Sequence, residues 1–529
     1  MIDRFAFAME NTSYGQLTAS SHEVQDLFQI CLPINGQNIL VIDGIDECVD
    51  CPTMVEDLLR LTGNPDVKVI FFGRPAGLSV ASMLRAMPVT QHLEIGKSTC
   101  SDIRLYLARN IEMIMEEGLI RSDMDTDTVV DRLCHGADGM FLWARLMISY
   151  LRSLSFSPAQ RMKIINNVSS PEGLDDMYER ILGKISKAGL ADQVLAKEVL
   201  IWLALSKRPL TKVELQQIVK CSTLNEADDD IANFSEVVVT ICAGLVELDA
   251  SCSSERPTAS FRLIHLTVKE HCLPFVSKNH DTGSWLSSSR HLPTRQPRCE
   301  IQITHTCLQF LLYSVPSQPL SGKLGTEASL NDVNKTFPLC SYAAAFWIHH
   351  LHSTMTDLPL TTGGTNCITS EDYKELLLTA AQFLSQKLAL MAWVEASYIS
   401  SHPPAHDKLL QWALWAEKCL ERDASLDAKK VIKDALEFSK DLERLKHDWN
   451  EHLSKSPASI WKQVTAFTPS RFLAQSTAVR FTTLAPDSLC RGSTSTKYLC
   501  KVSEANYDEQ FVGILSIWPS RYERHSSAH

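Results

Sequence analysis

The chain has 529 residues, of which 45% are apolar and 21% are charged, and this size allows about three or four folded domains. Its net charge of -11, with no long block of lysine and arginine, excludes the electrostatic pattern of a general nucleic-acid-binding protein. Sixteen cysteines are scattered along the chain, and the close pair Cys48 and Cys51 has no second pair to complete a zinc site, so we expect free thiols in a reducing compartment.

Signals for secretion and for a membrane span are missing from the sequence. The opening stretch, MIDRFAFAMENTSYGQ, has neither the basic flank nor the long apolar core of a secretory signal. No run of about 18 apolar residues occurs, which is the length that a membrane-spanning helix needs. We therefore expect a cytoplasmic protein without a membrane span.

The first predicted elements are a strand, a helix and a second strand. Residues 38–45, NILVIDGI, and residues 67–72, VKVIFF, are almost continuously apolar and predict buried strands. Between them, residues 55–63 have helical spacing and end at a glycine, while residues 91–96, QHLEIG, predict a short third strand. Strand, helix and strand within about 35 residues are typical of a parallel βαβ unit in an α/β sheet.

Beyond this unit, apolar residues recur with the spacing of a helix. Helices are predicted up to about Leu151, with Ser101 or Asp102 as the N-cap of the first. A second helical group spans residues 174–219, and a strand, loop, strand and helix pattern follows it over residues 241–271. Helices followed by a two-stranded wing predict a winged-helix domain.

The remaining sequence predicts a linker, helices and a few strands. Residues 276–299 are polar and rich in serine and proline, which is typical of a linker. Residues 300–455 have a helical pattern, and the HHLH run at 349–352 is interpreted as a helix surface rather than a metal site. In the tail, residues 497–505 and 511–520 predict strands because they alternate or are rich in β-branched residues.

The stretch ILVIDGIDEC, residues 39–48, carries the most specific chemistry. Asp43 ends the first buried strand, and Asp46 and Glu47 follow within one turn. Magnesium and an attacking water both need carboxylates at the edge of a sheet, so Asp43 is the candidate metal ligand. Asp46 or Glu47 is the candidate group that orients or deprotonates the water. The alternative is a buried strand that ends in a solvated acidic turn.

Arg74 follows the second strand in a Gly-Arg-Pro sequence. This position is the carboxyl end of the strand, where ligands of open α/β sheets bind. A guanidinium there suits a sensor of a γ-phosphate, and the alternative is a solvated arginine at a strand end.

A phosphate-binding loop is absent from the sequence. Residues 1–38 contain no G-x-x-x-x-G-K-[ST] motif, and the GKS at 96–98 falls after the acidic strand instead of before it. SGKLG at 321–325 lacks the first glycine and the final hydroxyl residue. Such a loop supplies the N–H groups and the lysine that hold phosphates, so hydrolysis by this chain alone is not expected.

Seven motifs occur in an order known from one class of proteins. In chain order they are ILVIDGIDEC, VKVIFFGRP, CSDIRLYL, GMFLWARLMISYL, LDDMYERIL, RPLTKVELQQIV and FRLIHLTVKEHCL. This order resembles fungal NACHT proteins, which are STAND-class signalling NTPases related to NOD-like receptors. The resemblance is close over about residues 25–275, and later helices and the tail are similar to the segments that follow in the same proteins.

The resemblance implies a module that binds Mg-ATP or ADP and switches between a closed and an oligomerising state. By its motif, Asp43 matches the magnesium carboxylate of the family. Asp46 and Glu47 match the catalytic acids of the extended Walker B strand, and Arg74 matches the sensor arginine.

Two further positions are implied by the same resemblance. His265 in LIHLTV matches the winged-helix histidine that contacts the β-phosphate of bound ADP, and its alternative is a structural histidine at a strand end. Phe141 stands where many relatives carry a proline that packs on the adenine base.

The fold prediction is a partial P-loop NTPase-type parallel α/β sheet followed by helical bundle, winged-helix and all-α domains and a short β tail. The predicted domains are a partial NACHT core at 1–95, a helical domain at 96–170, a winged-helix-like domain at 171–275, a linker at 276–299, a helical domain at 300–460 and a β-rich tail at 461–529 that precedes lost C-terminal repeats.

Two functions from different classes stay open. The first is a regulatory interaction scaffold without NTPase activity of its own, which contacts protein partners such as full-length NACHT relatives and binds neither nucleic acid nor membrane. The second is a nucleotide-hydrolysing switch in self/non-self recognition or cell death, in which a P-loop precedes this sequence. A decaying gene is a third option, because a truncated sheet with a bare edge is prone to aggregation.

Overall fold

The structure is a computed structural model. The residues that it describes are 37–45, 52, 54–56, 58, 67–73, 99–120, 125–153, 155–168, 173–222, 231, 233–248, 259–276, 296–355, 371–419, 426–468, 470–474, 479–483 and 500–504. The chain divides into two compact units, residues 1–98 and residues 99–529.

The described part of the first unit is a two-stranded parallel sheet. Strand β1 (Asn38–Ile42) pairs with β2 (Val67–Phe71) in the register Asn38 to Val67 and Ile42 to Phe71. Residues 54–56 and 58 are helical, and Leu58 packs with Leu40 and Val69 around the buried Val67. The predicted parallel pair of strands is confirmed. The prediction that both strands are buried is wrong, because their side chains alternate and Ile39, Val41 and Ile70 are exposed. The larger P-loop-type sheet stays a prediction, since residues 91–96 lie outside the described part.

The second unit begins with four helices, as the helical period predicts. They are α1 (Cys100–Glu116), α2 (Thr126–Ala137), α3 (Phe141–Leu151) and α4 (Pro158–Asn166).

Side-chain caps fix two of these four helices. Asp125 accepts the backbone N–H groups of Asp127 and Thr128 at the start of α2. Ser157 and Gln160 form a capping box at the start of α4, with a proline at the first helical position. The predicted cap of α1 is wrong, because Thr99 is the N-cap and makes no side-chain cap bond.

The next elements are one further helix and then the elements of the predicted winged-helix domain. They are α5 (Leu174–Ile185), α6 (Leu190–Leu205), β3 (Leu210–Thr211), α7 (Lys212–Ser222), α8 (Phe234–Ile241), β4 (Val246–Leu248), β5 (Ser260–Leu263) and α9 (Leu266–Val276).

The sheet of this domain is antiparallel, with the order β3-β5-β4. Strands β4 and β5 are the predicted wing, paired from Val246 with Leu263 to Leu248 with Phe261. The two-residue strand β3 was not predicted, because its sequence lies directly before a helix. Thr211 and Glu214 form a capping box there, since the Thr211 N–H donates to the Glu214 carboxylate and the Glu214 N–H donates to the Thr211 hydroxyl.

A helical domain follows. Its helices are α10 (Gln296–Tyr313), α11 (Leu330–Thr336), α12 (Cys340–His352), α13 (Glu371–Ser385), α14 (Lys387–Ile399), α15 (His406–Cys419), α16 (Leu426–Lys455), a 3-10 turn (Pro457–Trp461) and α17 (Gln463–Phe467).

Helix α10 begins inside the segment predicted as a linker. Its first turn is helical because Cys299 and Glu300 are buried and so belong to the packed helical region. Described buried apolar residues from Ile103 to Leu473 contact one another in a single cluster, so they form one hydrophobic core.

The described tail is an antiparallel hairpin of β6 (Val479–Thr483) and β7 (Cys500–Glu504). Strand β7 confirms the strand predicted at 497–505, while the strand predicted at 511–520 lies outside the described residues. No single described helix is long and apolar enough to cross a membrane. The bent pair Tyr373–Ser385 and Lys387–Ile399, which meet at 92°, passes that test by length and composition only.

Candidate functional site

Asp43 lies directly after β1, at the carboxyl end of the parallel strands, and its side chain is exposed. The pairing of the strands continues past it, because Phe72 N–H donates to Ile42 O at 2.8 Å and Ile45 N–H donates to Phe72 O at 3.0 Å. Gly44 makes the turn between these bonds with a φ of +70°, a conformation that favours glycine. The carboxylate is therefore held at the sheet edge where the sequence predicts a magnesium ligand.

The other predicted residues of this edge, Asp46, Glu47 and Arg74, lie outside the described residues. Their catalytic and phosphate-sensing roles stay predictions. An exposed carboxylate at a strand end suits a magnesium ion that keeps most of its water ligands, so Asp43 fits one ligand position. No group of three or more His, Cys, Asp or Glu that could hold a metal ion occurs among the residues that the structure describes.

His265 lies between β5 and α9, and its ring is exposed. The backbone N–H of Thr267 donates to His265 Nδ1 at 3.2 Å, and the Thr267 hydroxyl lies 2.8 Å from the same nitrogen. A backbone N–H can only donate, so Nδ1 is the acceptor and the proton of the neutral ring is on Nε2. The ring therefore offers an Nε2–H donor, which suits a phosphate or carboxylate oxygen.

The orientation of His265 is fixed from α5. The hydroxyl of Tyr178 lies 2.7 Å from the hydroxyl of Thr267, which continues the hydrogen-bond chain to the histidine. Next to it, His271 Nδ1 lies 3.0 Å from Asp175, and the rings of His271 and Tyr178 are 5.2 Å apart. Helices α5 and α9 thus hold the histidine in one tautomer.

Phe141 is the first residue of α3, and 45% of its side chain is exposed. Its ring lies 5.0 Å from that of Tyr106 on α1. The preceding turn has positive φ at Asp138 and Gly139, and the Thr99 hydroxyl donates to the Gly139 carbonyl at 2.9 Å. A contact of Phe141 with a nucleotide base stays a prediction.

The wing, strands β4 and β5, packs directly on helix α3. Glu247 on β4 accepts from Arg145 of α3 at 2.6 Å and from Arg262 of β5 at 2.9 Å. Gly244 has a φ of +86°, and a Cβ there would lie 2.3 Å from the hydroxyl of Ser149. Only glycine allows so close an approach of this turn to α3.

A cleft of about 1270 Å³ lies between the end of α3, helix α5 and the end of α8. Tyr150, Phe156, Lys184 and Thr240 are among the residues that line it. The Lys184 ammonium lies 5.7 Å from the centre of the Phe156 ring, and burial lowers the pKa of this lysine. Basic and acidic side chains of α5 both line the cleft, among them Lys184 and Glu179. The charge of the cleft therefore favours neither anionic nor cationic ligands.

One group of polar residues was interpreted wrongly from the sequence. The HHLH run was expected on a helix surface, yet His350 is completely buried and bonds to Tyr342 and Glu300. The signal in the sequence was the uninterrupted apolar run before it, which leaves α12 with no polar face.

Comparisons with known proteins match parts of the chain. A family model described as "GPI inositol-deacylase, winged helix domain" matches residues 184–280. "Azaphilone pigments biosynthesis cluster protein L" of Monascus ruber is 31% identical over 192 residues, which cover 34% of this chain and 35% of that relative. The chain therefore spans about a third of the length of the curated relative that it matches. No solved structure matches.

The family match coincides with observed structure. Residues 184–280 include α6 to α9 and all three strands of the β3-β5-β4 sheet. The winged-helix prediction is confirmed, and the matched domain is one that is associated with NACHT proteins.

Proposed function

We propose that this chain is a regulatory interaction scaffold of the NACHT and STAND type, which presents its winged-helix and helical domains to protein partners. The observation that carries the proposal is the continuous hydrophobic core from Ile103 to Leu473. A core shared by the winged-helix and helical domains fixes their relative position, and a rigid surface loses little conformational entropy when a partner binds.

The character of helix α8 supports protein partners over nucleic acid. Winged-helix proteins of the helix-turn-helix class place a recognition helix in the major groove, and phosphate contacts need lysine and arginine. Helix α8, the last helix before the wing, reads FSEVVVTI and contains Glu236 but no basic residue. The net charge of -11 also disfavours binding to the negatively charged backbone of nucleic acid.

Full-length NACHT relatives are the partners that we favour. The family match at residues 184–280 supports a domain of their kind, and the fungal relative supports the same origin. The role of this scaffold is to join such relatives through like domains, in the cytoplasm.

A nucleotide switch is the second candidate. Asp43 lies at the carboxyl end of the parallel strands, and His265 offers an Nε2–H donor. With Mg-ATP or ADP bound, Asp43 would hold the magnesium ion, Arg74 would contact phosphate oxygens, and Asp46 or Glu47 would orient water. For His265, the family resemblance separately implies a contact with the β-phosphate of ADP.

Calorimetry of the purified full chain with Mg-ATP and with Mg-ADP separates the two functions. If the chain is a scaffold, neither Mg-ATP nor Mg-ADP gives a heat of binding, either with the unchanged chain or with Asp43→Ala. Micromolar binding that Asp43→Ala weakens at least tenfold would instead favour the switch. Lys163→Ala, an exposed residue of α4, is the control for unspecific effects.

Partner binding is measured with the same preparation. The full chain is mixed with a purified full-length NACHT relative, and the complex is followed by analytical ultracentrifugation without nucleotide and with Mg-ATP. Association that is independent of nucleotide is the expected result. Absence of a complex under both conditions would contradict the scaffold.

A further inference from the structure

Four residues form a closed ring of hydrogen bonds between the winged-helix and helical domains, through their side chains and one backbone N–H group. We call Lys207, Glu300, Tyr342 and His350 the junction ring. Lys207 follows α6 in the winged-helix domain, Glu300 lies on α10, and Tyr342 and His350 lie on α12. Lys207 is inside the matched winged-helix range and the other three are outside it. The ring therefore joins two domains.

The distances close the ring. Lys207 Nζ lies 3.2 Å from Glu300 Oε1, and Glu300 Oε2 lies 2.5 Å from His350 Nδ1. His350 Nε2 lies 2.8 Å from the Tyr342 hydroxyl, which accepts the backbone N–H of Lys207 at 3.1 Å. The ring returns to the residue where it began.

One assignment of protons satisfies every bond. The backbone N–H of Lys207 must donate, so the Tyr342 oxygen accepts it and the Tyr342 proton goes to His350 Nε2. A neutral His350 then donates its Nδ1 proton to the Glu300 carboxylate. Lys207 supplies the positive charge that balances Glu300.

The neighbouring arginine does not replace Lys207. Arg208 pairs with Glu214 at 2.5 and 2.9 Å, and its guanidinium carbon lies 5.2 Å from the centre of the Tyr342 ring. It forms a second contact between the winged-helix domain and the tyrosine ring.

The two charges of the ring differ in burial. The Glu300 side chain is 1% exposed, whereas that of Lys207 is 27% exposed and also contacts the Ser353 hydroxyl at 3.1 Å. A buried carboxylate that loses its cation is strongly destabilised. The cation on which Glu300 depends is thus the member of the ring that an anionic group from solvent can reach.

We propose that the junction ring is a local latch: the charged Lys207 holds the segment after α6 against α10, and loss of its bond to Glu300 loosens this contact while the shared hydrophobic core keeps the two domains together. An anionic side chain of a partner that draws Lys207 away would open it. The latch concerns the chain alone, so it does not depend on the proposed function.

Hydrogen exchange followed by mass spectrometry on the full chain tests the latch. In Lys207→Met, amides of residues 210–222 and 296–313 are expected to exchange at least tenfold faster, while those of residues 100–151 keep their rates. In Lys207→Arg, which keeps the charge, the exchange rates of residues 210–222 and 296–313 are expected to lie between those of the unchanged chain and those of Lys207→Met. Lys212→Met, at the start of α7, is the matched control and leaves all three regions unchanged.

A double substitution ties the effect to the ion pair. Exchange in Lys207→Met/Glu300→Gln is expected to be no faster than in Glu300→Gln, because the bond can be lost only once. Unchanged exchange at 210–222 and 296–313 in Lys207→Met, or an equal acceleration at 100–151, would overturn the latch. If Lys207→Met does not fold, Tyr342→Phe is measured instead, since it removes the hydroxyl that accepts the Lys207 N–H. Faster exchange confined to residues 210–222 and 296–313 would support the latch. Unchanged exchange there, or equal acceleration at residues 100–151, would overturn it.

Discussion

The two-stranded unit and the region from residue 99 to residue 474 bury their apolar side chains to very different extents. In the first, Ile39 and Val41 of β1 are 62% and 59% exposed, although they belong to the most recognisable motif of the chain. In the second, Trp393 of α14 is fully buried within a core that continues through several domains. The motif that suggests catalysis therefore lies on a strand with exposed apolar side chains, whereas the winged-helix domain that the comparisons support belongs to the region with the shared core.

Replacement of Trp393 is expected to have the largest effect. Its ring lies 5.6 Å from that of Trp347 and 6.1 Å from that of Phe383, and its Nε1–H donates to the Ala344 carbonyl at 3.0 Å. Trp393→Ala should lower the free energy of unfolding by about 3–5 kcal/mol, because it leaves a cavity and removes the indole's hydrogen bond. Urea denaturation followed by circular dichroism measures the loss.

The matched control is Leu105→Ala, because this leucine of α1 is 74% exposed. Its effect should stay within about 0.5 kcal/mol. A loss of similar size for both substitutions would contradict the view that burial in this core sets the stability.

Most of the secondary structure could be predicted because it follows from the spacing of apolar residues along the sequence. The β1 and β2 runs are continuous, and helix α5 repeats its buried residues at helical spacing. Strand β3 could not be predicted, since two residues carry no period and its pairing with Phe261 is a contact between distant parts of the chain.

The candidate site could be predicted only in part. Asp43 follows from one local motif, and its position at the strand end agrees with it. The junction ring could not be predicted, because residues 207, 300 and 350 are distant in sequence and meet through packing. The apolar run before His350 indicates that the histidine is buried, but no local pattern identifies Glu300 as its partner.

Arg161 tests how polar groups are buried in the same region. It is 2% exposed and donates to the backbone carbonyls of Leu151, Ser153 and Phe156 at 2.6, 2.7 and 2.5 Å. Arg161→Met keeps most of the volume but removes these three hydrogen bonds, so the free energy of unfolding should fall by about 2–3 kcal/mol. Thermal unfolding of the variant measures the change.

Lys163→Met on the same helix is the control, because its side chain is exposed. It should leave the unfolding temperature nearly unchanged. If Arg161→Met were equally harmless, the buried carbonyls would have to find other donors, and the arginine would not be what fixes the loop after α3.

A smaller effect is expected from pH through His349. Burial, together with Lys408, Lys207 and His350, lowers the pKa of His349 from 6.5 to about 4. Between these two values the unfolded chain binds a proton that the folded chain does not, so stability falls as the pH falls from 6.5 towards 4. Partial exposure of the ring reduces the contribution to about 1 kcal/mol.

The measurement is the stability of the unchanged chain and of His349→Gln in urea at pH 7 and at pH 5. The difference between them should shift in favour of the variant at the lower pH, because glutamine takes up no proton. His447→Gln, at a histidine that is 86% exposed, should show no such shift. An identical pH dependence in all three proteins would mean that His349 is not the group responsible.

The smallest effect is expected on the exposed face of β1, and it sharpens the comparison most directly. Ile39→Thr keeps a β-branched side chain at a position that is already exposed, so stability should change by less than about 0.5 kcal/mol. Leu40→Ala on the covered face, where Leu40 packs against Val67, should cost about 1 kcal/mol. Hydrogen exchange of residues 38–42 and 67–71 in the full chain measures both. If Ile39→Thr accelerated exchange as much as Leu40→Ala, the outer face of the strand would be covered in the folded protein. The two units would then bury their apolar side chains to a similar extent.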